Sequence, residues 1–128
     1  MSAPILGHAG EQVDLLIRQG ATFGPHEITL TNPDATPLNL TGATVRAQIR
    51  RKALDAAVLI AITCTITDAA AGKCTIGLTA AQTAALVAGE NTASIDSRAV
   101  WDLELLDAAA RVTPVYYGAV TIHREVTR

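Results

Sequence analysis

The residues best suited to chemistry are three histidines and two cysteines, since imidazoles and thiolates are the usual ligands of zinc. The histidines fall at predicted turns or chain ends, whereas the cysteines fall on the inward faces of two predicted strands. Their spacing matches none of the patterns of zinc sites. We therefore predict no metal site from these residues, which are His8, His26, His123, Cys64 and Cys74.

The sequence also lacks the residue patterns of the other common catalytic sites. Serine is scarce and confined to predicted irregular segments, whereas a nucleophile needs a rigid setting and a nearby base. Phosphate-binding glycine motifs are absent. Asp102 and Glu104 share one face of a predicted strand, but the apolar residues that alternate with them indicate a solvated outer face rather than an acid pair. We predict that the protein is not an enzyme and uses no cofactor.

Charge and hydropathy narrow the range of partners. The formal net charge is -2, whereas a nucleic-acid groove needs a concentrated basic stripe. No apolar run approaches about 20 residues, and no signal peptide is visible. We expect a protein made in the cytoplasm that binds neither nucleic acid nor membrane. The densest positive cluster consists of Arg46, Arg50, Arg51 and Lys52. We interpret it as an exposed strand end, and the alternative is a surface that binds an acidic partner.

Apolar and polar residues alternate along most of the chain, which is typical of half-buried strands. About seven such segments follow one another, with turn signals roughly every 8–12 residues, so the pattern predicts an all-β, antiparallel β-sandwich. One short helix is predicted over residues 80–87, because Thr79 and Gln82 have the spacing of a capping box. Leu16 is the one apolar residue on the outward side of the first strand. The predicted core anchors are Val45, Ile49, Ile62, Trp101, Leu103 and Leu105.

The start of the chain lacks this alternation and is rich in small residues. Segments of this kind often become ordered only against a partner. We therefore predict a docking arm over residues 1–12, followed by a single domain over residues 13–128. A polar loop is predicted over residues 91–98. The candidate interface residues are Pro4, Ile5 and Leu6 in the arm, and Asn91, Asp96 and Arg98 in the loop.

Cys64 and Cys74 lie on the same face of a predicted hairpin, and two registers are compatible with its turn. A three-residue loop sets the cysteines directly opposite each other, within reach of a disulfide. A bulged loop with Gly72 in the left-handed conformation sets Cys64 opposite Leu78 instead. The glycine favours the second register, and a cytoplasm keeps thiols reduced. We expect free thiols, with a cross-strand disulfide as the alternative.

The order of several segments resembles a known protein family. A strand ending in RQGATF is followed by ITLTNPDATPLNLTGATVRAQIR, a hairpin, LTAAQTAAL, VWDLELLD and YYGAVTIHREVTR. This order resembles small phage and prophage tail or virion proteins, and the immunoglobulin-like N-terminal domain of phage upper baseplate proteins. The resemblance covers nearly all of residues 13–128. It implies an immunoglobulin-like sandwich that docks onto neighbouring subunits, and it carries over no catalytic residue.

Two departures from the family pattern concern turns. Ala35 stands where the family has a turn glycine, and the turn over residues 107–111 lacks glycine, so these hairpin tips are expected to be reshaped. The two cysteines are also not part of the family pattern.

The resemblance leads us to predict a structural component of a tailed-phage virion, in the tail, baseplate, fibre attachment or neck. Such a protein is assembled in the host cytoplasm, is present in multiple copies and binds other virion proteins. A head-decoration protein on the capsid surface is the first alternative, because it needs the same kind of domain and arm. A carbohydrate-binding adhesion module is the second, and only Tyr116 and Tyr117 are available as its exposed aromatics.

Overall fold

The computed structural model describes residues 10–32, 34–54, 57–86 and 96–125. Its regular elements are eight strands and one short helix, so the prediction of a mostly β protein is confirmed. The strands are β1 (Glu11–Gln12), β2 (Leu15–Arg18), β3 (Phe23–Thr29), β4 (Thr44–Arg50), β5 (Ile60–Asp68), β6 (Lys73–Leu78), β7 (Asp96–Leu106) and β8 (Val112–His123), and the helix is α1 (Ala80–Ala84).

The strands form one curled sheet in the order β1-β8-β7-β4-β5-β6-β3, with β2 also paired with β8. The pairs among β3 to β8 are antiparallel, whereas β1 and β2 run parallel to β8. The prediction of a wholly antiparallel sheet is therefore wrong at this edge. Period-two alternation shows which face of a strand is buried, but it carries no information about the direction of its neighbour.

Strand β5 connects the two halves of the sheet, which are β3 and β6 on one side and β4, β7 and β8 on the other. Its first residues pair with β4, and its later residues, from Thr63 onward, pair with β6. The apolar faces of both halves contribute to a single core cluster. Because the sheet curls, β5 pairs with both β4 and β6, and both halves of the sheet cover the same core.

The core contains the six residues predicted as its anchors, all of which are buried. Trp101 is also hydrogen-bonded, because its indole Nε1 donates to the Val13 carbonyl at 2.7 Å. This bond ties the segment between β1 and β2 to β7. A Cβ at Gly118 would collide with the same Val13 carbonyl, so β8 needs a glycine where the segment crosses it.

Helix α1 begins as the sequence predicted. Thr79 is its N-cap and forms the complete capping box with Gln82. The helix ends at Ala84, earlier than predicted, and residue 87 lies outside the described residues. The hydroxyl of Thr83, which is buried, donates to the carbonyl of Ala21 at 2.8 Å and accepts from the N–H of Gly20 at 3.0 Å. The helix therefore holds the turn that follows β2.

The hairpin of β5 and β6 adopts neither of the two predicted registers. Gly72 has the left-handed conformation, with φ of 71°, but a bulge near the loop sets Cys64 opposite Ile76. Cys64 is thus diagonal to Cys74 and not opposite Cys74 or Leu78. Both cysteines are free. Asp68 pairs with Lys73 at the end of the loop, and the bulge lies between Ile66 and Asp68, so the register falls between the two predicted ones.

Parts of both predicted docking segments belong to the sheet. Glu11 and Gln12, assigned to the arm, form β1 beside β8. The loop predicted over residues 91–98 is wrong for its last three residues, which begin β7 and pair with the end of β8. The small inward side chains of Ser97 and Ala99 made this alternation hard to see, although both are buried.

Two turns contain a left-handed residue that is not glycine. Ala35 has φ of 70° and Ala110 has φ of 63°. The N–H of Ala35 donates to the Asn32 carbonyl, and that of Ala110 to the Asp107 carbonyl, each at 2.9 Å. The turns at these tips therefore keep a backbone conformation that glycine adopts without strain, but with alanine in its place.

Candidate interaction site

The described residues that were considered for a metal site do not come together as a set of ligands. His26 lies on β3 with its ring against Phe23, at 4.7 Å between ring centroids, and His123 ends β8. Both cysteines lie on the inward face of the β5–β6 hairpin, and His8 lies outside the described residues. Within the described ranges, no group of three or more histidine, cysteine, aspartate or glutamate side chains is placed to hold a metal ion.

Asp102 and Glu104 belong to an outer surface on β4, β7 and β8 that we call the polar face. Glu104 accepts a hydrogen bond from Arg46 Nε at 3.0 Å across the strand pair. Burial raises the pKa of Asp102, the charge of Glu104 raises it further, and the nearby arginines oppose the shift. The polar face has a shallow cleft of about 520 Å³ lined by Gln12, Gln48, Arg50, Asp102, Glu104 and Tyr117 among others.

The curl of the sheet leaves an opening between its two edges. Strand β2 pairs only with β8, and β3 pairs only with β6, among the strands that the structure describes. Between these edges lies a cleft of about 570 Å³, which we call the seam. Its lining is mostly apolar and consists of Val13, Leu15, Leu16, Phe23, Ile28, Ile76, Trp101 and Tyr116, together with Glu11, Asp14 and His26.

Core residues and exposed side chains both contribute to the seam. Trp101 and Ile76 are buried, and the Trp101 and Tyr116 ring centroids lie 6.3 Å apart. Burial raises the pKa of Tyr116, and the neighbouring charge of Glu11 raises it further. Leu16, in contrast, is 62% exposed. Among the described residues, the seam is therefore an apolar surface that is continuous with the core.

A second, smaller cleft of about 220 Å³ extends the seam past β1. The two clefts share Glu11 and Tyr116, and the second one also includes Thr29 and Leu30 at the end of β3. The two clefts therefore follow β3 from Phe23 to its end, and the walls are mostly apolar in the seam and mixed in the second cleft.

Two of the six predicted interface residues, Asp96 and Arg98, lie within the described residues. Both are in the first residues of β7, and Arg98 lines neither the seam nor the cleft of the polar face. The three arm residues and Asn91 lie outside the described residues. Sequence reasoning missed the seam because its walls come from distant parts of the chain. The one local signal was Leu16, whose outward position breaks the alternation of its strand.

Comparison with known proteins gives no family, since no family model matches this sequence and no curated protein matches it. In the part of the chain that the structure describes, no helix has the length and apolar character needed to span a membrane. The seam and the polar face are therefore the features of the molecule that indicate a function.

Proposed function

We propose that the protein is a structural component of a tailed-phage virion, in the tail, baseplate, fibre attachment or neck, and that it acts through contacts with other virion proteins. The observation that carries this proposal is the seam, an apolar cleft beside a free edge strand. Free edges and exposed apolar clefts are surfaces that bind another polypeptide. The order of segments that resembles phage tail and virion proteins supports the assignment to a particle.

We also propose that the fold is an immunoglobulin-like sandwich. The neighbours β3-β6-β5 correspond to strands B-E-D of such a domain, and β4-β7-β8 correspond to C-F-G. The division of β5 between the two halves supports this assignment, because the later residues of β5 pair on the B-E side. The parallel pairing of β2 with β8 adds a strand at the edge of the C-F-G sheet.

The seam suggests how docking works. An extended segment laid along β3 would form main-chain hydrogen bonds, and its alternate side chains would enter the apolar cleft. Each such hydrogen bond contributes only about 0.5–1.5 kcal/mol net, so a short segment binds weakly on its own. Many weak contacts of this kind are sufficient in a particle, where repeated copies hold one another in place.

The two alternative functions use different surfaces. A head-decoration protein would dock through the same seam, so only its place in the particle distinguishes it. A carbohydrate-binding module would use the polar face, where Tyr117 is 42% exposed beside amide and carboxylate groups. The other candidate aromatic, Tyr116, packs against Trp101 and lines the seam instead. One exposed ring is a small platform for a sugar, and we therefore favour the virion role.

Labelling of intact particles tests the proposal. A short epitope tag inserted in the exposed turn at Ala109 leaves both the seam and the arm unchanged. Gold-labelled antibody on purified particles is expected at the tail or neck, with untagged particles as the control. Label distributed over the capsid would support the head-decoration alternative. Particles that carry no copy of the tagged chain, while the free tagged chain is folded, would contradict a virion role.

A further inference from the structure

We propose that the seam binds residues 2–6 of a second copy of this chain, added as an extended strand along the free edge of β3. The proposal deepens the virion role by naming a partner, yet it rests on two parts of the same chain and is testable without a particle. Reciprocal exchange of the segment gives a closed dimer, whereas exchange in one direction gives a ring or a filament.

The edge of β3 has room for a short strand. Pro25 and a register shift between Phe23 and His26 interrupt the first part of β3, and proline within a sheet is typical of an edge strand. The regular part of the edge, residues 26–29, spans about 13 Å at about 3.3 Å per residue. A segment of four or five residues matches this length.

The arm contains apolar side chains that can pack against the apolar lining of the seam. In an extended segment Pro4 and Leu6 point to the same side, because successive side chains alternate. We infer that they enter the seam between Leu16 on β2 and Ile28 on β3. Proline is tolerated in an edge strand when its nitrogen faces away from the neighbouring strand.

Charge also favours this occupant. The seam is lined by two acidic residues, Glu11 and Asp14, and both are exposed. A third, Glu27, is exposed on β3, but Lys73 of β6 lies 3.9 Å from it and offsets its charge. Residues 1–9 contain no acidic residue, and their one titratable side chain is His8. The arm therefore brings no like charge to this edge, whereas an acidic segment would be repelled.

The direction of the chain at Gly10 points to a second copy and not to the same molecule. A Cβ at Gly10 would lie 2.8 Å from the Val115 carbonyl oxygen, and Glu11 is level with Tyr116. Because β1 runs parallel to β8, the chain reaches β1 from the Val115 end and then passes along the seam to Leu16. An arm of the same molecule would have to reverse within a few residues to enter the seam, whereas the arm of a neighbour enters without a reversal.

Isotope-mixed cross-linking identifies the occupant. A photo-reactive phenylalanine analogue replaces Ile5 in the full chain, and ¹⁴N and ¹⁵N preparations are mixed, refolded together and irradiated. We expect cross-links from position 5 to the peptide around residues 23–28, with heavy–light pairs among them. Cross-links only within one isotope would show binding in the same molecule and overturn the proposal. Cross-links only to other peptides, or none, would overturn it as well.

Matched substitutions test the two contact surfaces separately. Leu16→Arg places a charge in the seam, and Leu54→Arg is its control, because Leu54 is 99% exposed and does not line the seam. We expect Leu16→Arg, and separately Pro4→Asp with Leu6→Asp, to weaken self-association by about tenfold or more, equivalent to at least about 1.4 kcal/mol. Leu54→Arg should leave self-association unchanged. Sedimentation equilibrium measures the constant, and circular dichroism checks that each variant is folded.

The results separate this proposal from the virion role. A wild-type chain that remains monomeric at high micromolar concentration, or equal self-association of the Leu16→Arg and Leu54→Arg variants, overturns the exchange of arms. Such a chain still found in particles would leave the virion role standing. A chain that exchanges its arm but is missing from particles would overturn the virion role alone.

Discussion

Two alanines hold a backbone conformation that is free of strain only for glycine. A left-handed residue with a Cβ costs roughly 1–2 kcal/mol, while the extra flexibility of glycine costs about 0.5–1 kcal/mol. Ala35 and Ala110 both have this conformation. We therefore predict that Ala35→Gly and Ala110→Gly each raise the free energy of unfolding by about 0.5–1 kcal/mol, measured by urea denaturation.

Ala109 provides the control for this prediction, because it lies in the same turn as Ala110 without a positive φ. Ala109→Gly should lower the free energy of unfolding slightly, since it gains flexibility in the unfolded chain and relieves no strain. A result in which Ala110→Gly is no more stable than Ala109→Gly would show that the left-handed turn carries no strain.

The cysteines give a second prediction at the level of single residues. Burial raises the pKa of Cys64 from 9.0 to about 11, the charge of Cys74 adds to the shift, and a backbone hydrogen bond opposes it. Burial also raises the pKa of Cys74. A pKa raised in the folded state favours the neutral thiol there. The contribution to stability is thus fully present below pH 9 and is lost as the pH rises from 9 toward 11.

Two measurements check the state of the thiols. The urea midpoint should stay constant from pH 7 to 8.5 and fall above pH 9, and this alkaline fall should be smaller in Cys64→Ala. Iodoacetamide at pH 8 should modify Cys64 about a hundredfold more slowly in the native than in the unfolded chain, and Cys74 more slowly as well, since the thiolate is the reactive form. Without reductant, the unfolded chain should carry two modified cysteines. An unmodified chain that is two protons lighter would show a disulfide instead.

Among the elements, the short helix contacts the turn after β2 through one buried side chain. The Thr83 hydroxyl donates to the Ala21 carbonyl and accepts from the Gly20 N–H. Thr83→Val keeps the shape but leaves both backbone groups without this partner, which costs about 1–3 kcal/mol. We predict a loss of that size in the free energy of unfolding, measured through the fluorescence of Trp101.

Thr65→Val is the isosteric control, because Thr65 is exposed on β5. It should change stability by less than about 0.5 kcal/mol. Equal changes in the free energy of unfolding for Thr83→Val and Thr65→Val would mean that the Thr83 hydroxyl does not hold the turn.

The elements also show how far the sequence predicts this fold. Alternation identified the strands and their buried faces, and the spacing of Thr79 and Gln82 identified the start of the helix, because these signals are local. The register of Cys64 and the parallel direction of β2 could not be predicted in the same way, since each depends on a neighbour. The start of β7 was missed at Ser97, where a small polar side chain is buried.

At the scale of the whole molecule, the candidate site was beyond prediction for a related reason. The seam exists only because the sheet curls and brings β2 near β3 without pairing them. Its apolar residues look like ordinary core positions in their own strands. Only Leu16 departs from its pattern, and one exposed leucine is common on protein surfaces. The arm was predicted as a docking segment from its composition, while the surface that we propose receives it required the structure.

The shared strand β5 leads to a prediction about the unfolding of the whole chain. If the β3–β6 half opened alone, the later residues of β5 would lose their partners while its first residues remained paired with β4. Opening would also expose the core face that both halves cover. Separate unfolding of one half therefore costs nearly as much as global unfolding, and we predict a single cooperative transition.

Two probes in different halves test this cooperativity in the same Cys64→Ala protein, which keeps a single thiol. Trp101 on β7 reports its half by fluorescence, and Cys74 on β6, fully buried, reports the other half by pulsed alkylation. Both signals should change at the same urea midpoint, and the slope should match that of circular dichroism. If Cys74 became reactive at lower urea than the change in Trp101 fluorescence, the halves would unfold separately. In that case β5 would not couple them, and the seam would be a boundary between two stability units.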